Sequence, residues 1–186
     1  MNYNEIRRKT RAISVGNIKI GGDAPISVQS MTNTPSEDYA ATYAQMKALE
    51  AAGCDIVRMT VPTIEAAQVL GRLRESDIAM PIVADIHFDY RLAIAAADAG
   101  ADKIRINPGN IGDRDRVKAV VSKCREKRIP IRIGVNSGSL ERELLAKYGA
   151  PTAEALAESA MGHIKILESL DFFDIAVSIK SSDVFT

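Results

Sequence analysis

The sequence predicts an α/β protein built as an incomplete TIM-type (β/α)8 barrel, with about six of the eight parallel strands and an N-terminal β-hairpin. Three observations carry that prediction. Short apolar runs alternate with helical patterns about every 25 to 30 residues, the signature of parallel βα units. The runs end in polar or charged residues that share one face, at the C-terminal ends where a barrel builds its site. The chain has 186 residues, below the roughly 200 to 250 of a complete barrel, so the first and sixth strands are expected to have exposed edges. A doubly wound sheet fits the alternation but would split the polar residues between two faces.

Residues 1–24 read as an N-terminal segment and 25–186 as the partial barrel. The hairpin pairs 12–15 with 18–20 across Gly16-Asn17, a turn pair that tolerates positive φ. Barrel strands are expected at 26–29, 56–59, 82–85, 103–106, 131–135 and 175–178. Between them, Ala66, Val69, Leu70 and Leu73 form one helical stripe. Val117, Val120, Val121 and Cys124 form another, and Leu156, Ala160, Ile164 and Leu167 a third. Ser36, Thr63, Asp113 and Thr152 are the expected N-caps. Gly53, Gly100 and Gly149 mark helix ends.

Composition narrows the function. A hydrophobic fraction of 46% supplies a core. Twenty-four basic residues balance 24 acidic ones, unlike a nucleic-acid coat protein. No segment is long and apolar enough for a membrane span, and the polar, basic start lacks a signal peptide's apolar stretch, so the expected location is cytoplasmic. Arg7, Arg8 and Lys9 are expected as solvated charge. Cys54 and Cys124 lack C-x-x-C spacing and read as two buried thiols acting as small apolar groups.

Side chains alternate along a strand, so Arg105 and Asn107 share one face while Ile104 and Ile106 share the other. The same spacing pairs Arg58 with Thr60, Asp85 with His87, Arg132 with Asn136, and Ser178 with Lys180. Buried charge is costly unless paired or met by a ligand. Four cations (Arg58, Arg105, Arg132 and Lys180) against one carboxylate therefore predict a pocket for an anion with several charges, and guanidinium forks match phosphate oxygens. His87 could donate to a phosphate oxygen or act as a proton donor near neutral pH. The pattern does not rank Asp85 and His87 for proton transfer, and no catalytic residue is assigned. A D-x-H pair lacks a third metal ligand, so no metal is expected. The loops 107–112 and 136–139 could offer backbone N–H groups to an anion, or be ordinary turns. His163 reads as structural or solvated.

The motifs SVQSMTNT (27–34), DIVRMTVPT (55–63), VADIHFDYR (83–91), IRINPGNIG (104–112), PIRIGVNSGSLE (130–141) and SIKSSDVF (178–185) closely resemble the N-terminal barrel of the 4-hydroxy-3-methylbut-2-enyl diphosphate synthases. The resemblance covers nearly the whole chain from about Thr10. It implies reductive ring opening and dehydration of 2-C-methyl-D-erythritol 2,4-cyclodiphosphate in non-mevalonate isoprenoid biosynthesis. It implies substrate contacts at Arg58, His87, Arg105, Arg132 and Lys180, with Asp85, Asn107 and Asn136 as polar neighbours. Family members hold a [4Fe–4S] cluster on three cysteines and a glutamate in a C-terminal domain, take electrons from flavodoxin or ferredoxin, and act as homodimers. Neither Cys54 nor Cys124 matches a cluster ligand. The resemblance therefore implies that this chain binds no cluster and does not turn over substrate alone. Two other readings stay open: a non-catalytic anion-binding module, and a barrel enzyme like dihydropteroate synthase, for which the 5% aromatic content without Trp offers little stacking surface.

Overall fold

A computed structural model describes residues 8–186. The expectation for Arg7 lies outside them, while Arg8 and Lys9 are exposed. Strands β1 (Ile13–Val15) and β2 (Ile18–Ile20) pair antiparallel, with Ile13 opposite Ile20. Gly16 turns the chain at φ +55°, a region L side chains rarely adopt.

Six parallel strands follow among the described residues. They are β3 (Gln29–Met31), β4 (Ile56–Thr60), β5 (Ile82–Asp85), β6 (Lys103–Ile106), β7 (Ile131–Asn136) and β8 (Ile175–Lys180), adjacent in that order. They form a curled, partial barrel. Helices α1 (Tyr39–Ala51), α2 (Ile64–Arg74), α3 (Tyr90–Asp98), α4 (Pro108–Ile111), α5 (Arg114–Lys127), α6 (Arg142–Tyr148) and α7 (Ala153–Glu168) connect them.

The outward strand residues build the main core with the helices. Met59, Ile82, Ile104, Ile106 and Ile131 are buried together with Leu70, Leu73, Val120 and Leu167. The stripes read from sequence face this core, except that Ile164 is only partly buried. The inner face divides along the barrel axis. At the N-terminal end of the strands, Ile56 and Val83 pack with Val15 of the hairpin, joined by Ile18 and Ile20. The hairpin therefore closes the floor of the barrel with apolar side chains.

Three expectations need correction. The first barrel strand pairs over Gln29–Met31, not 26–29. Ile26 and Val28 are exposed: the Val28 N–H is taken by the Asp55 carboxylate at 2.7 Å and its carbonyl accepts from the Asp55 and Ile56 N–H groups, so the paired register begins only at Gln29 opposite Ile56. The cap of α1 is Asp38, not Ser36: a turn from Pro35 to Asp38 comes first, and the Asp38 carboxylate then accepts from the Ala41 N–H. Thr63, Asp113 and Thr152 cap as expected. Cys124 is fully buried, which pushes its thiol up to about 12, but Cys54 is only partly buried and directs its thiol to the Ile56 carbonyl.

Candidate functional site

Parallel register carries the inner face from strand to strand. Thr60 lies beside Asp85, Asp85 beside Arg105, and Arg105 beside Arg132. Ser178 lies beside Gly134, and Lys180 beside Asn136. One layer below, Met31 lies beside Arg58, Arg58 beside Val83, and Val83 beside Lys103.

Asp85 is the hub, with its side chain 4% exposed. Its Oδ1 accepts from Arg105 Nη1 at 3.1 Å. Its Oδ2 lies 3.6 Å from Arg58 Nε and 3.7 Å from His87 Nε2. Arg58 Nε and Nη2 also donate to the Met31 thioether, at 3.2 and 2.9 Å. Arg132 donates from Nε to the Ser178 hydroxyl at 3.0 Å. Burial pushes the Arg132 guanidinium below the usual arginine range, Arg58 and Arg105 push further, and Asp85 opposes them. Asn107 and Asn136 use their side-chain oxygens locally, accepting from the Gly109 and Gly138 N–H groups. Each amide NH2 is left to serve another acceptor. Lys180 is exposed, at the end of the open-edged strand β8.

The structure thus brings Arg58, Asp85, His87 and Arg105 into one contact network, with Arg132 beside it. The two loops take defined forms: 107–112 contains the one-turn helix α4, and 136–139 a single 3-10 turn. His163 is buried, with Nε2 at 2.7 Å from Glu141 Oε1, so of its two readings the structural one applies. Gly109 lies against its ring, since a Cβ there would sit 2.9 Å from His163 Cε1.

Two site residues escape the sequence reading. Lys103 stands on the inner face two residues before Arg105 and is 2% exposed. Burial, then Arg132 and Arg58, pull its ammonium down to about 8. Gly134 lies between Arg132 and Asn136 on the same face. A Cβ at Gly134 would come within 2.5 Å of Arg105 Nε and Nη2, so the missing side chain is the space the guanidinium occupies. A lone glycine inside a strand is the signal for such close approach.

With this geometry in place, relatives can be compared. The model of the GcpE TIM-barrel domain matches residues 10–186. The chain belongs to that family. A 4-hydroxy-3-methylbut-2-en-1-yl diphosphate synthase (flavodoxin) of Pseudomonas aeruginosa (strain LESB58) is 61% identical over 180 residues, covering 97% of this chain and 48% of the relative. The protein of the same name from Idiomarina loihiensis is 59% identical over 186 residues, all of this chain and 50% of the relative. The GcpE-family chain thus spans about half the length of these curated relatives. Among solved structures, a spore coat polysaccharide biosynthesis protein of Bacillus subtilis superposes with TM-score 0.63 at 14% identity, over 93% of this chain and 49% of its own. A dihydropteroate synthase of Xanthomonas albilineans superposes with TM-score 0.62 at 17% identity, over 95% and 66%. These two likenesses are of fold alone.

Among the described residues, no group of three or more His, Cys, Asp or Glu side chains is placed to hold a metal ion. Cys124 sits inside the core with its thiol pushed far from the thiolate form that clusters require. The described residues do not fit an iron–sulfur cluster. Among them, no helix is long and apolar enough to cross a membrane.

Proposed function

We propose that this chain is the substrate-binding barrel of a 4-hydroxy-3-methylbut-2-enyl diphosphate synthase, with residues 1–24 as a hairpin-bearing segment and 25–186 as the partial barrel. The substrate is 2-C-methyl-D-erythritol 2,4-cyclodiphosphate. The reaction takes up two electrons and two protons, opens the ring at a C–O bond, and releases water and the linear diphosphate. The names of relatives about 60% identical support this reading. The observation that carries it is the crowding of Arg58, Arg105 and Arg132 around one carboxylate, an excess of positive charge that a diphosphate neutralises.

This chain's own part is to bind and orient. Guanidinium groups on β4, β6 and β7 grip phosphate oxygens, and their parallel strands fix the spacing. Asp85 keeps Arg58 and Arg105 in place between ligands. His87, half exposed at the mouth, and the amide groups of Asn107 and Asn136 contact the ligand from the rim. Lys180 closes over it from β8. Electrons would come from a [4Fe–4S] cluster held by residues other than the described ones, fed by flavodoxin or ferredoxin, within a cytoplasmic homodimer. The chain alone then binds substrate without turning it over.

Titration calorimetry of the chain with the cyclodiphosphate tests this. Wild type should bind. Arg105→Ala should lose about 1.5 to 3 kcal/mol, the worth of a charge-assisted contact. Wild type that fails to bind, or a variant that binds equally well, would refute the reading.

A further inference from the structure

Lys103 is out of keeping with its surroundings. Its Cα is in register with Val83, whose side chain belongs to the apolar floor closed by Val15 and Ile56. A lysine is almost never fully buried unless paired. Lys103 is 2% exposed, and among the described residues its Nζ has no hydrogen-bond acceptor and no acidic partner. The charged groups that act on it are Arg132 on β7 and Arg58 on β4, and Arg105 follows two residues along its own strand on the same face. The carboxylate of Asp85 on β5 is one layer up and engaged with Arg58 and Arg105, and that of Asp102, the preceding residue, is taken by the Ile82 N–H and Arg74. His87 lies above Asp85 at the mouth, 3.7 Å from its carboxylate. The hairpin side chains packed against the neighbouring Ile56 and Val83 are the apolar Val15, Ile18 and Ile20, and its Lys19 donates to Ser14 at the exposed surface. Helix α3, outside β6, has its Asp98 bound to Lys123 and Lys127 and its Arg91 to Asp89.

We propose that Lys103 is the innermost ligand of the anion site, and that the bound diphosphate supplies the acceptor its buried ammonium lacks. This deepens the diphosphate reading above and rests on it. An ammonium surrounded by guanidinium groups is unfavourable until an anion arrives, so part of its proton is lost from the empty site above pH 8. Binding an anion reverses that balance. Lys103 then takes up a proton as the ligand enters, and affinity falls as pH rises through about 8.

The test uses two ligands in which each phosphorus carries one ester and the anhydride bridge, leaving one strongly acidic oxygen and a fixed charge: the cyclodiphosphate, and the symmetric dimethyl ester of diphosphate. Calorimetry at pH 8.5, in two buffers of different ionisation enthalpy, counts protons taken up. That pH is above the ordinary range of histidine and below that of a solvated lysine. Wild type should take up most of a proton per ligand. Lys103→Met should take up none, bind about 10- to 100-fold more weakly at pH 7, and melt no lower than wild type without ligand. Wild type that binds without proton uptake, or a variant that keeps the uptake or the affinity, overturns the proposal. The wild-type proton count decides by itself if the variant fails to fold. Wild type that binds neither ligand overturns the anion site and the role of Lys103 together. Binding of the dimethyl ester alone removes the named substrate and still returns a proton count for Lys103.

Discussion

The two ends of the barrel interior use the same strands for opposite purposes. At the floor, Ile56 and Val83 meet the hairpin and exclude water. Two residues further along the same strands, Arg58 and Asp85 face a charged mouth. One pleat repeat separates an apolar stopper from a cationic site. The floor gives the mouth a low-dielectric base, which strengthens every interaction above it and makes unpaired charge there costly. Lys103 is where this division fails, a cation in the floor layer.

Asp85→Ala should blur the contrast most. It leaves Arg58, Arg105 and Arg132 facing one another with no counter-charge, and urea unfolding should show a loss of about 3 to 5 kcal/mol. Added diphosphate should restore more stability to this variant than to wild type. A loss below about 1 kcal/mol would mean water already screens the mouth.

Lys103 sharpens the contrast through pH. The folded chain releases its proton near 8, whereas an unfolded lysine keeps it to about 10.5, so between those values the unfolded state binds more protons. Stability of the ligand-free chain should therefore rise with pH across that window, by at most about 3 kcal/mol. Lys103→Met should remove the rise. Parallel pH slopes for the two proteins would show that the ammonium is solvated after all.

Gly134→Ala should change stability least, by less than about 1 kcal/mol. The atoms nearest the added methyl are Nε, Nη2 and Cζ of Arg105, the far end of a flexible side chain that can shift while Nη1 stays near Asp85. Displacing that tip should nevertheless weaken diphosphate binding about 10-fold, so calorimetry should register this variant while thermal melting barely does. Unchanged affinity would show that Arg105 has room elsewhere.

The strand-end pattern makes Arg58, Asp85, Arg105 and Arg132 legible, because period two needs no tertiary knowledge once the strands are placed. Lys103 obeys the same rule yet escapes it, since a lysine at the start of a strand ordinarily reaches solvent. Its burial is set by the curl of the sheet, which brings the side chains of neighbouring strands over it, a packing fact with no local signature. Gly134 is hidden for a related reason: its role is to leave space for a residue on a neighbouring strand. The first barrel strand is misplaced because 26–29 alternates as well as the true strand, and the register is fixed by pairing with β4 from Gln29 onward, which the local sequence does not show. Helix faces are almost completely legible, because a periodic stripe such as Val117, Val120, Val121 and Cys124 meets the core in the frame it sets.

The hairpin has a bearing on the order of assembly. Its Gly16 turn is wedged where a Cβ would stand 3.0 Å from both the Pro81 ring and the Asp102 carboxylate. Residues 13–20 leave the ribosome before any barrel strand, yet their seat exists only once β4, β5 and the start of β6 lie side by side. Such sequence-distant docking comes late and lets go early. Loosening should therefore begin from below, with amide exchange appearing at Val15, Ile56 and Val83 before it reaches the helix-covered side of the sheet.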